Sequence, residues 1–105
     1  MKRGEIWWAE LGSSAGKRPV LLLSRDEAYA IRGLITVAPI TTRIRNIASE
    51  VTMGLQDGLP KPCVINLDTI TTIAKTSLID RLVSISQEKK KEVDAALHFA
   101  LGLDR

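Results

Sequence analysis

Short apolar runs separated by turns rich in glycine and proline fill most of this chain, and their spacing limits the fold more than any other feature. Each run is too short for a typical helix and is rich in β-branched or aromatic residues, which favours strands. The predicted strands are Glu5–Leu11, Pro19–Ser24, Leu34–Ile40, Ser49–Met53, Cys63–Leu67 and Arg81–Ile85. The segment from Thr69 to Leu78 fits either strand or turn.

Two of these runs carry further predictions. Pro19–Ser24 is apolar almost without interruption, so we expect a strand that is buried on both faces. Pro39 near the end of the third run predicts that this strand lies on an edge or meets a bulge, because proline cannot donate a ladder hydrogen bond. Trp7 and Trp8 are adjacent, so their side chains should point to opposite faces of one strand. At most one of them can face the core, and the other is available for an interface between subunits or for a ligand path.

The C-terminal segment has helical periodicity. Ser86 can cap a helix that begins at Gln87, and Gly102 stands where a C-cap glycine belongs. The residues that form one apolar face between them are Val93, Ala96, Leu97, Ala100 and Leu101. The sequence therefore predicts a mainly β (α+β) fold: a small β-barrel or strongly bent sheet followed by an amphipathic helix.

Length and composition narrow the class of protein. The 105 residues allow one domain, residues 1–105, with one core. A hydrophobic fraction of 45% and a charged fraction of 26% are typical of a folded soluble protein. No apolar run approaches the roughly 20 residues of a spanning helix, and no apolar signal-peptide core follows the basic N-terminus. We therefore expect a cytoplasmic protein with no membrane partner, in which the lone Cys63 is a buried small hydrophobe.

Positive charge is concentrated in the first part of the chain. Residues 1–45 contain eight Lys or Arg and four Asp or Glu, a net of +4, whereas the remaining residues contain seven bases and eight acids, a net of −1. Six of the eight early bases are arginine, the side chain suited to forked contacts with phosphate. This distribution fits a nucleic-acid partner and fits equally a solvated basic surface.

The residue types available for catalysis are few. His98 is the single histidine, so a pair of histidines acting as acid and base cannot form within one chain. No His/Cys cluster has zinc spacing, and no phosphate-binding or dinucleotide glycine pattern is present. We therefore predict neither a metal nor a cofactor, and arginine and hydroxyl groups must carry any catalysis.

Two places offer such groups at strand ends. Lys17-Arg18-Pro19-Val20 presents an arginine before a buried strand, and Pro19 biases Arg18 towards an extended backbone. The second, residues 39–45, has the sequence PITTRIR and carries two hydroxyls and two arginines into a loop. A small barrel can bring strand ends together. On spacing alone, basic loops without a catalytic role fit both places as well.

Five motifs in order resemble one known family. They are Arg3-Gly4-Glu5-Ile6-Trp7-Trp8, Arg18-Pro19-Val20-Leu21-Leu22-Leu23-Ser24, Pro39-Ile40-Thr41-Thr42, the segment of residues 64–72 (VINLDTITT), and the C-terminal Glu92-Val93-Asp94-Ala95-Ala96-Leu97. Together they resemble the MazF/PemK toxins across essentially the whole chain. Single motifs of this kind are weak, but five in register are specific.

The resemblance implies an SH3-like β-barrel, a homodimer, and sequence-selective cleavage of single-stranded RNA. In that family the catalytic pair is the arginine of R-P and the threonine of P-I-T, which correspond here to Arg18 and Thr41. The 2′-hydroxyl attacks the adjacent phosphorus and leaves a 2′,3′-cyclic phosphate and a 5′-hydroxyl. The implied partner is a small MazE-like antitoxin whose acidic, flexible tail covers the RNA site.

Neighbouring polar residues are candidates for binding RNA. An arginine keeps its proton, so Arg18 is suited to stabilising charge on the phosphorane, and Thr41 can donate a hydrogen bond to a phosphoryl oxygen. Ser24 is a candidate for ordering the site. The remaining candidates for RNA contact are Lys17, Arg25, Thr42, Arg43 and Arg45.

Two alternatives remain open. A toxin on the same barrel could bind DNA gyrase and cut nothing, although the presence of Arg18 and Thr41 favours the nuclease. The other alternative is a barrel that binds single-stranded nucleic acid without cutting it. The predicted β-strands carry no row of aromatic residues that would support it. The loop before Arg18, residues 12–17, is shorter than in many relatives, which predicts a more open site.

Overall fold

The computed structural model describes residues 1–12 and 16–103. Residues 13–15 of the loop before Arg18, whose shortness predicts a more open site, therefore lie outside the described part. The strands are β1 Glu5–Glu10, β2 Lys17–Leu22, β3 Leu34–Thr41, β4 Glu50–Met53, β5 Cys63–Asn66, β6 Thr71–Ala74 and β7 Leu78–Ser84. The helices are α1 Ala28–Ile31 and α2 Gln87–Leu101, and short 3₁₀ turns occupy Leu55–Asp57, Leu67–Thr69 and Lys75–Ser77.

All six predicted strands are present, with shifted ends. β2 begins two residues before the predicted Pro19, because Lys17 and Arg18 pair with Glu10 and Ala9 of β1. The segment that fitted either strand or turn contains β6 and a 3₁₀ turn. The short helix α1 was not predicted.

One antiparallel sheet holds all seven strands. Its order is β4-β5-β3-β2-β1-β7, and β6 also pairs with β3. The sheet bends like a barrel but is not closed, and α2 follows it in sequence. The predicted mainly β architecture with a C-terminal helix is thereby confirmed.

Strand β3 changes its partner part-way along one side. Residues Leu34–Val37 pair with β6, and Ile40–Thr41 pair with β5. Pro39 lies between the two pairings, in the middle of the sheet and opposite Val20 of β2. The predicted edge strand is therefore wrong, because β3 lies between β5 and β2. The missing N–H is tolerated because neither β5 nor β6 pairs with β3 at this residue.

Two clusters of buried residues occupy the two faces of β2. Leu21 belongs to the first cluster, which α2 covers with Val93 and Ala96. Val20 and Leu22 belong to the second cluster. The prediction that this strand is buried on both faces is confirmed, whereas the predicted single core is divided in two.

Helix α2 has the predicted caps. Oγ of Ser86 accepts a hydrogen bond from the backbone N–H of Lys89 at 3.1 Å. Gly102 has a φ of +67°, and the backbone N–H of Leu103 donates to the carbonyl of His98 at 2.8 Å. These bonds satisfy groups that a helix leaves unpaired at its ends. No helix in the described ranges is long and apolar enough to cross a membrane.

Glu5 ties β1 to β7 at the start of the sheet. Its Oε1 accepts from the indole Nε1 of Trp7 at 2.9 Å and from the backbone N–H of Lys2 at 3.0 Å. Its Oε2 accepts from Nε of Arg81 at 3.2 Å. Partial burial raises the pKa of Glu5, but these bonds and the nearby positive charges outweigh burial and hold the pKa below its ordinary value.

Candidate active site

A cleft of about 370 Å³ opens where β2 begins and β3 ends. One wall is formed by the first residues of β2 with β1, a second by the last residues of β3, and a third by the segment before β5. The lining residues are Trp8, Lys17, Arg18, Pro19, Ile40, Thr41, Thr42, Leu59, Pro60, Lys61 and Cys63. The volume lies within the range typical of sites for small ligands.

The pairing of β2 with β3 places Arg18 and Thr41 in this cleft together. The two strands run antiparallel with Val20 opposite Pro39. Arg18 and Thr41 each lie two residues beyond this pair, at the end where the pairing stops, and both line the cleft. Because one strand begins where the other ends, the two motifs that the sequence predicted at separate strand ends share one site.

Arg18 is exposed at the mouth of the cleft. The β1–β2 register places it beside Ala9, a small residue that is fully buried. Pro19 follows directly and restricts the backbone of Arg18 to extended shapes. The guanidinium is therefore presented from a strand with little backbone freedom.

The hydroxyl of Thr41 has a defined hydrogen-bond partner. Its Oγ1 accepts from the backbone N–H of Arg43 at 3.2 Å. A hydroxyl can accept and donate at once, so its proton is available for a second acceptor. Thr41 can thus donate to an oxygen of a ligand in the cleft.

The described lining is positive. Lys17, Arg18 and Lys61 supply three cations, and no carboxylate is among the lining residues that the structure describes. Outside the lining, Glu10 is the register partner of Lys17 on β1, and Asp57 lies near enough to Cys63 to act on its thiol. The arrangement favours an anionic ligand.

Cys63 contributes an apolar surface to the cleft. It is 4% exposed and belongs to the first core cluster, so the prediction of a buried small hydrophobe is confirmed. Burial, and secondarily the negative charge of Asp57, raises the pKa of the Cys63 thiol. The thiol therefore stays protonated near neutral pH and is a poor nucleophile.

The other predicted binding residues are divided among three places. Lys17 and Thr42 line the cleft. Arg43 and Arg45 are exposed on the loop after β3 and are not among the lining residues. Glu50 holds this loop, because its Oε1 accepts from the backbone N–H of Arg45 at 2.9 Å.

Ser24 and Arg25 lie beyond the other end of β2. Ser24 lies six positions after Arg18, which is about 20 Å along an extended chain at the usual rise per residue. Oγ of Ser24 accepts from the backbone N–H of Thr36 at 2.8 Å and so joins the end of β2 to β3. The structure does not bring Ser24 and Arg25 to the cleft.

Lys61 was not predicted to line the cleft, and of the two adjacent tryptophans it is Trp8 that lines it. A signal for Lys61 was present, because it precedes Pro62 as Arg18 precedes Pro19, and in both pairs the proline restricts the cation before it. Within the part of the chain that the structure describes, no group of three or more His, Cys, Asp or Glu residues could hold a metal ion.

Comparison with known proteins identifies the family of the chain. Residues 2–101 match the family model described as the PemK-like, MazF-like toxin of type II toxin–antitoxin systems. The chain belongs to this family. Both family motifs that the sequence placed at strand ends, R-P and P-I-T, contribute to the lining of the one cleft.

Relatives of the MazF-like family match almost the full length. The probable endoribonuclease MazF5 of Mycobacterium tuberculosis is 36% identical over 104 residues, which is 98% of this chain and 94% of the relative. The solved M. tuberculosis toxin MazF-mt6 is 32% identical with a TM-score of 0.87, covering 96% of this chain and 99% of that one. An endoribonuclease solved in complex with its cognate antitoxin, from mycobacterial species, is 30% identical with a TM-score of 0.88, covering 100% and 98%.

Two further MazF-like motifs lie in the scaffold of the fold. Arg3 forms an ion pair with Asp94 of α2 at 3.1 Å, which joins the opening R-G-E motif to the C-terminal helix. Asp68 of the segment 64–72 accepts a hydrogen bond from the hydroxyl of Ser49, a residue that is 1% exposed. These contacts give the two motifs a structural role.

Proposed function

We propose that this chain is the toxin of a type II toxin–antitoxin system and cleaves single-stranded RNA as a metal-independent, sequence-selective endoribonuclease. The observation that carries the proposal is the meeting of Arg18 and Thr41 in one positively charged cleft. Membership of the MazF-like family supports it, since relatives matched along almost their whole length are named endoribonucleases.

The proposed reaction uses the RNA's own 2′-hydroxyl. The 2′-oxygen forms a bond to the adjacent phosphorus as its proton departs, and the bond from phosphorus to the 5′-oxygen breaks. The leaving 5′-oxygen gains a proton. The products are a 2′,3′-cyclic phosphate and a 5′-hydroxyl, so this step consumes no water and DNA cannot undergo it.

Arg18 and Thr41 stabilise the transition state of this reaction. Negative charge collects on the phosphorane oxygens, and a guanidinium can hold two of them with parallel N–H bonds. Thr41 donates its hydroxyl proton to a phosphoryl oxygen while the N–H of Arg43 occupies a lone pair of the same hydroxyl.

Binding of the RNA backbone extends beyond the reacting phosphate. Lys17 and Thr42 contact neighbouring phosphates from inside the cleft, and Arg43 and Arg45 do so from the adjoining loop. Ser24 and Arg25 have no part in this surface, because they lie beyond the far end of β2.

An antitoxin of the MazE-like kind is the proposed protein partner. A relative was solved in complex with its cognate antitoxin. An acidic segment would compete with RNA for the same three cations of the cleft. By resemblance to the family, the toxin acts as a homodimer in the cytoplasm.

The test is a cleavage assay on antitoxin-free protein with excess EDTA. Substrates are a long RNA containing paired and unpaired regions and a DNA of the same sequence. We expect cuts in unpaired RNA only, at repeated sequences, with cyclic phosphate ends. Arg18→Ala should abolish them, whereas Arg32→Ala, which removes an exposed arginine after α1, should leave the cuts unchanged.

Each result separates the proposal from its alternatives. RNA left intact by a protein that still arrests growth would overturn the nuclease, and DNA gyrase would then be tested as the target. Intact RNA that is nevertheless bound would indicate a barrel that only binds single strands. Cuts lost on adding EDTA would overturn the metal-independent step.

A further inference from the structure

The third wall of the cleft carries a cation with no assigned role. Residues 59–63 connect the 3₁₀ turn Leu55–Asp57 to β5. Both ends of this segment are anchored, because Leu59 is 2% exposed and Cys63 is 4% exposed, and both belong to the first core cluster. Lys61 is exposed between them and lines the cleft.

The backbone at Lys61 is restricted on both sides. Pro60 and Pro62 each fix their own φ, and Pro62 also disfavours the helical region for the residue before it. Lys61 therefore faces the cleft from a short segment with buried ends and few accessible backbone shapes. The position of the Lys61 backbone is therefore restricted by the wall of the cleft, whereas a lysine on an unrestrained loop could take many positions.

Trp8 supplies a flat apolar surface to the same cleft. It is half-buried and lines the cleft, and the β1–β2 register sets it opposite Pro19. Its neighbour Trp7 packs against the second core cluster and donates its indole N–H to Glu5. The two adjacent tryptophans thus separate as predicted, one into the scaffold and one into the site.

We propose that Trp8 and Lys61 form a nucleotide subsite beside Arg18, with the base stacked on the indole of Trp8 and a flanking phosphate held by Lys61. Stacking on an aromatic face combined with cations along the backbone is the usual way to bind single-stranded nucleic acid. A cleft of about 370 Å³ with three cations and no described acid suits a nucleotide. This assignment rests on the proposed function, because it takes RNA as the ligand.

Fluorescence of single-tryptophan variants tests the stacking. The chain has only two tryptophans, so Trp7→Phe leaves Trp8 as the reporter and Trp8→Phe leaves Trp7. The probe is a pool of random-sequence RNA 12-mers carrying 2′-O-methyl groups, which cannot be cut by 2′-hydroxyl attack. We expect the probe to quench Trp8 at low salt and to leave Trp7 nearly unchanged.

A second probe distinguishes a site that binds a nucleotide base from a site that binds any acidic ligand. Poly-glutamate carries negative charge but no base. If poly-glutamate quenches Trp8 as strongly as the RNA pool does, the stacking assignment is wrong and the cleft is an anion site for an acidic segment. Equal quenching of Trp7 and Trp8 by RNA would also overturn it.

The role of Lys61 is tested by the salt dependence of binding. Anisotropy of the labelled RNA pool gives the affinity over a range of salt concentrations. For Lys61→Ala we expect the slope of log affinity against log salt to shrink by about 0.7, the value for one phosphate of a single strand. Lys61→Arg should keep the slope, and Lys91→Ala, an exposed lysine of α2, serves as the matched control.

The outcomes distinguish this subsite from the nuclease itself. If RNA binds and quenches Trp8 but is not cut, the subsite proposal holds and the proposed nuclease function is wrong. If Trp8→Ala and Lys61→Ala cut RNA as well as the original protein and bind it with unchanged salt slopes, the nuclease proposal holds and the subsite proposal is wrong. Circular dichroism and thermal unfolding of each variant report whether it has folded.

Discussion

Oγ1 of Thr41 accepts a hydrogen bond from the backbone N–H of Arg43, two residues further along the chain, at 3.2 Å. This bond sets the direction of the hydroxyl and turns the chain out of β3 towards the arginine-bearing loop. The same contact therefore orders a candidate catalytic group and the start of the surface proposed to bind RNA.

Removing this hydroxyl should impair catalysis far more than folding. Thr41→Val keeps the shape of the side chain but cannot donate to a phosphoryl oxygen, so we expect cleavage to slow by about 10²–10³-fold. Thr41→Ser retains the hydroxyl and should keep most of the activity. Single-turnover cleavage rates check this, and a thermal unfolding curve close to the original shows that the fold survives. Equal rates for the valine and serine variants would contradict a catalytic hydroxyl.

The phenol of Tyr29 should titrate at unusually high pH. Burial raises its pKa from 10.0 to about 12, since the side chain is 7% exposed and its charged form is poorly solvated there. Tyr29 is the only tyrosine, so the ultraviolet absorbance of phenolate reports this group alone. We expect a midpoint near 12 in the folded protein and near 10 in denaturant.

The sign of the linked stability follows from these two values. The folded protein holds the phenolic proton more tightly than the unfolded chain does. The contribution of Tyr29 to the free energy of unfolding is therefore complete below about pH 10 and falls as the pH rises towards about 12. Tyr29→Phe should flatten that part of the stability curve. An identical decline in both proteins would show that other groups cause it.

Glu5 should stabilise the fold in its ionised form. Its pKa lies below the ordinary 4.5, because hydrogen bonds from Trp7 and Lys2 and nearby positive charges outweigh the opposing effect of burial. The stabilisation is therefore present above about pH 4.5 and is lost as the pH falls through the folded value. Unfolding by urea should show Glu5→Gln less stable than the original protein at pH 7, with the difference shrinking as the pH falls below 4.5. Glu10→Gln, an exposed residue of the same strand, is the control.

Gly58 should not tolerate a side chain. Its φ is +87°, and a Cβ atom there would lie 2.6 Å from Cγ1 of Val83. We expect Gly58→Ala to lower the free energy of unfolding by roughly 1–3 kcal/mol, through backbone strain and the clash together. Gly33→Ala, where nothing lies within 4 Å of the added carbon, should stay within about 0.5 kcal/mol of the original. Similar losses for both variants would rule out this local cause.

Local signals predicted most of the fold. The caps at Ser86 and Gly102 act within one turn of the chain, so the bounds of α2 followed from the sequence. Six strands followed from their apolar runs, whereas β6 was left open and the starts of β2 and β7 were not predicted. Lys17 and Arg18 look like loop residues, and their strand conformation depends on pairing with β1, a contact that no local pattern encodes.

The candidate site was predictable where motifs marked it and unclear elsewhere. Arg18 and Thr41 stood out by resemblance, and their proximity depends on the antiparallel register of β2 and β3. Ser24 appeared close because it is near Arg18 in sequence, but an extended strand carries it away from the cleft. Lys61 lies far along the chain and reaches the cleft only through the path of residues 59–63 before β5.

The two prolines that follow Arg18 and Lys61 bear on the thermodynamics of association. Each restricts the backbone of its cation already in the unfolded chain, so part of the conformational entropy of ordering is lost before any ligand arrives. A ligand that enters the cleft then meets groups that need little further immobilisation, which is the basis of preorganised binding. In this chain affinity for the RNA backbone depends on where the cations are held as well as on how many there are.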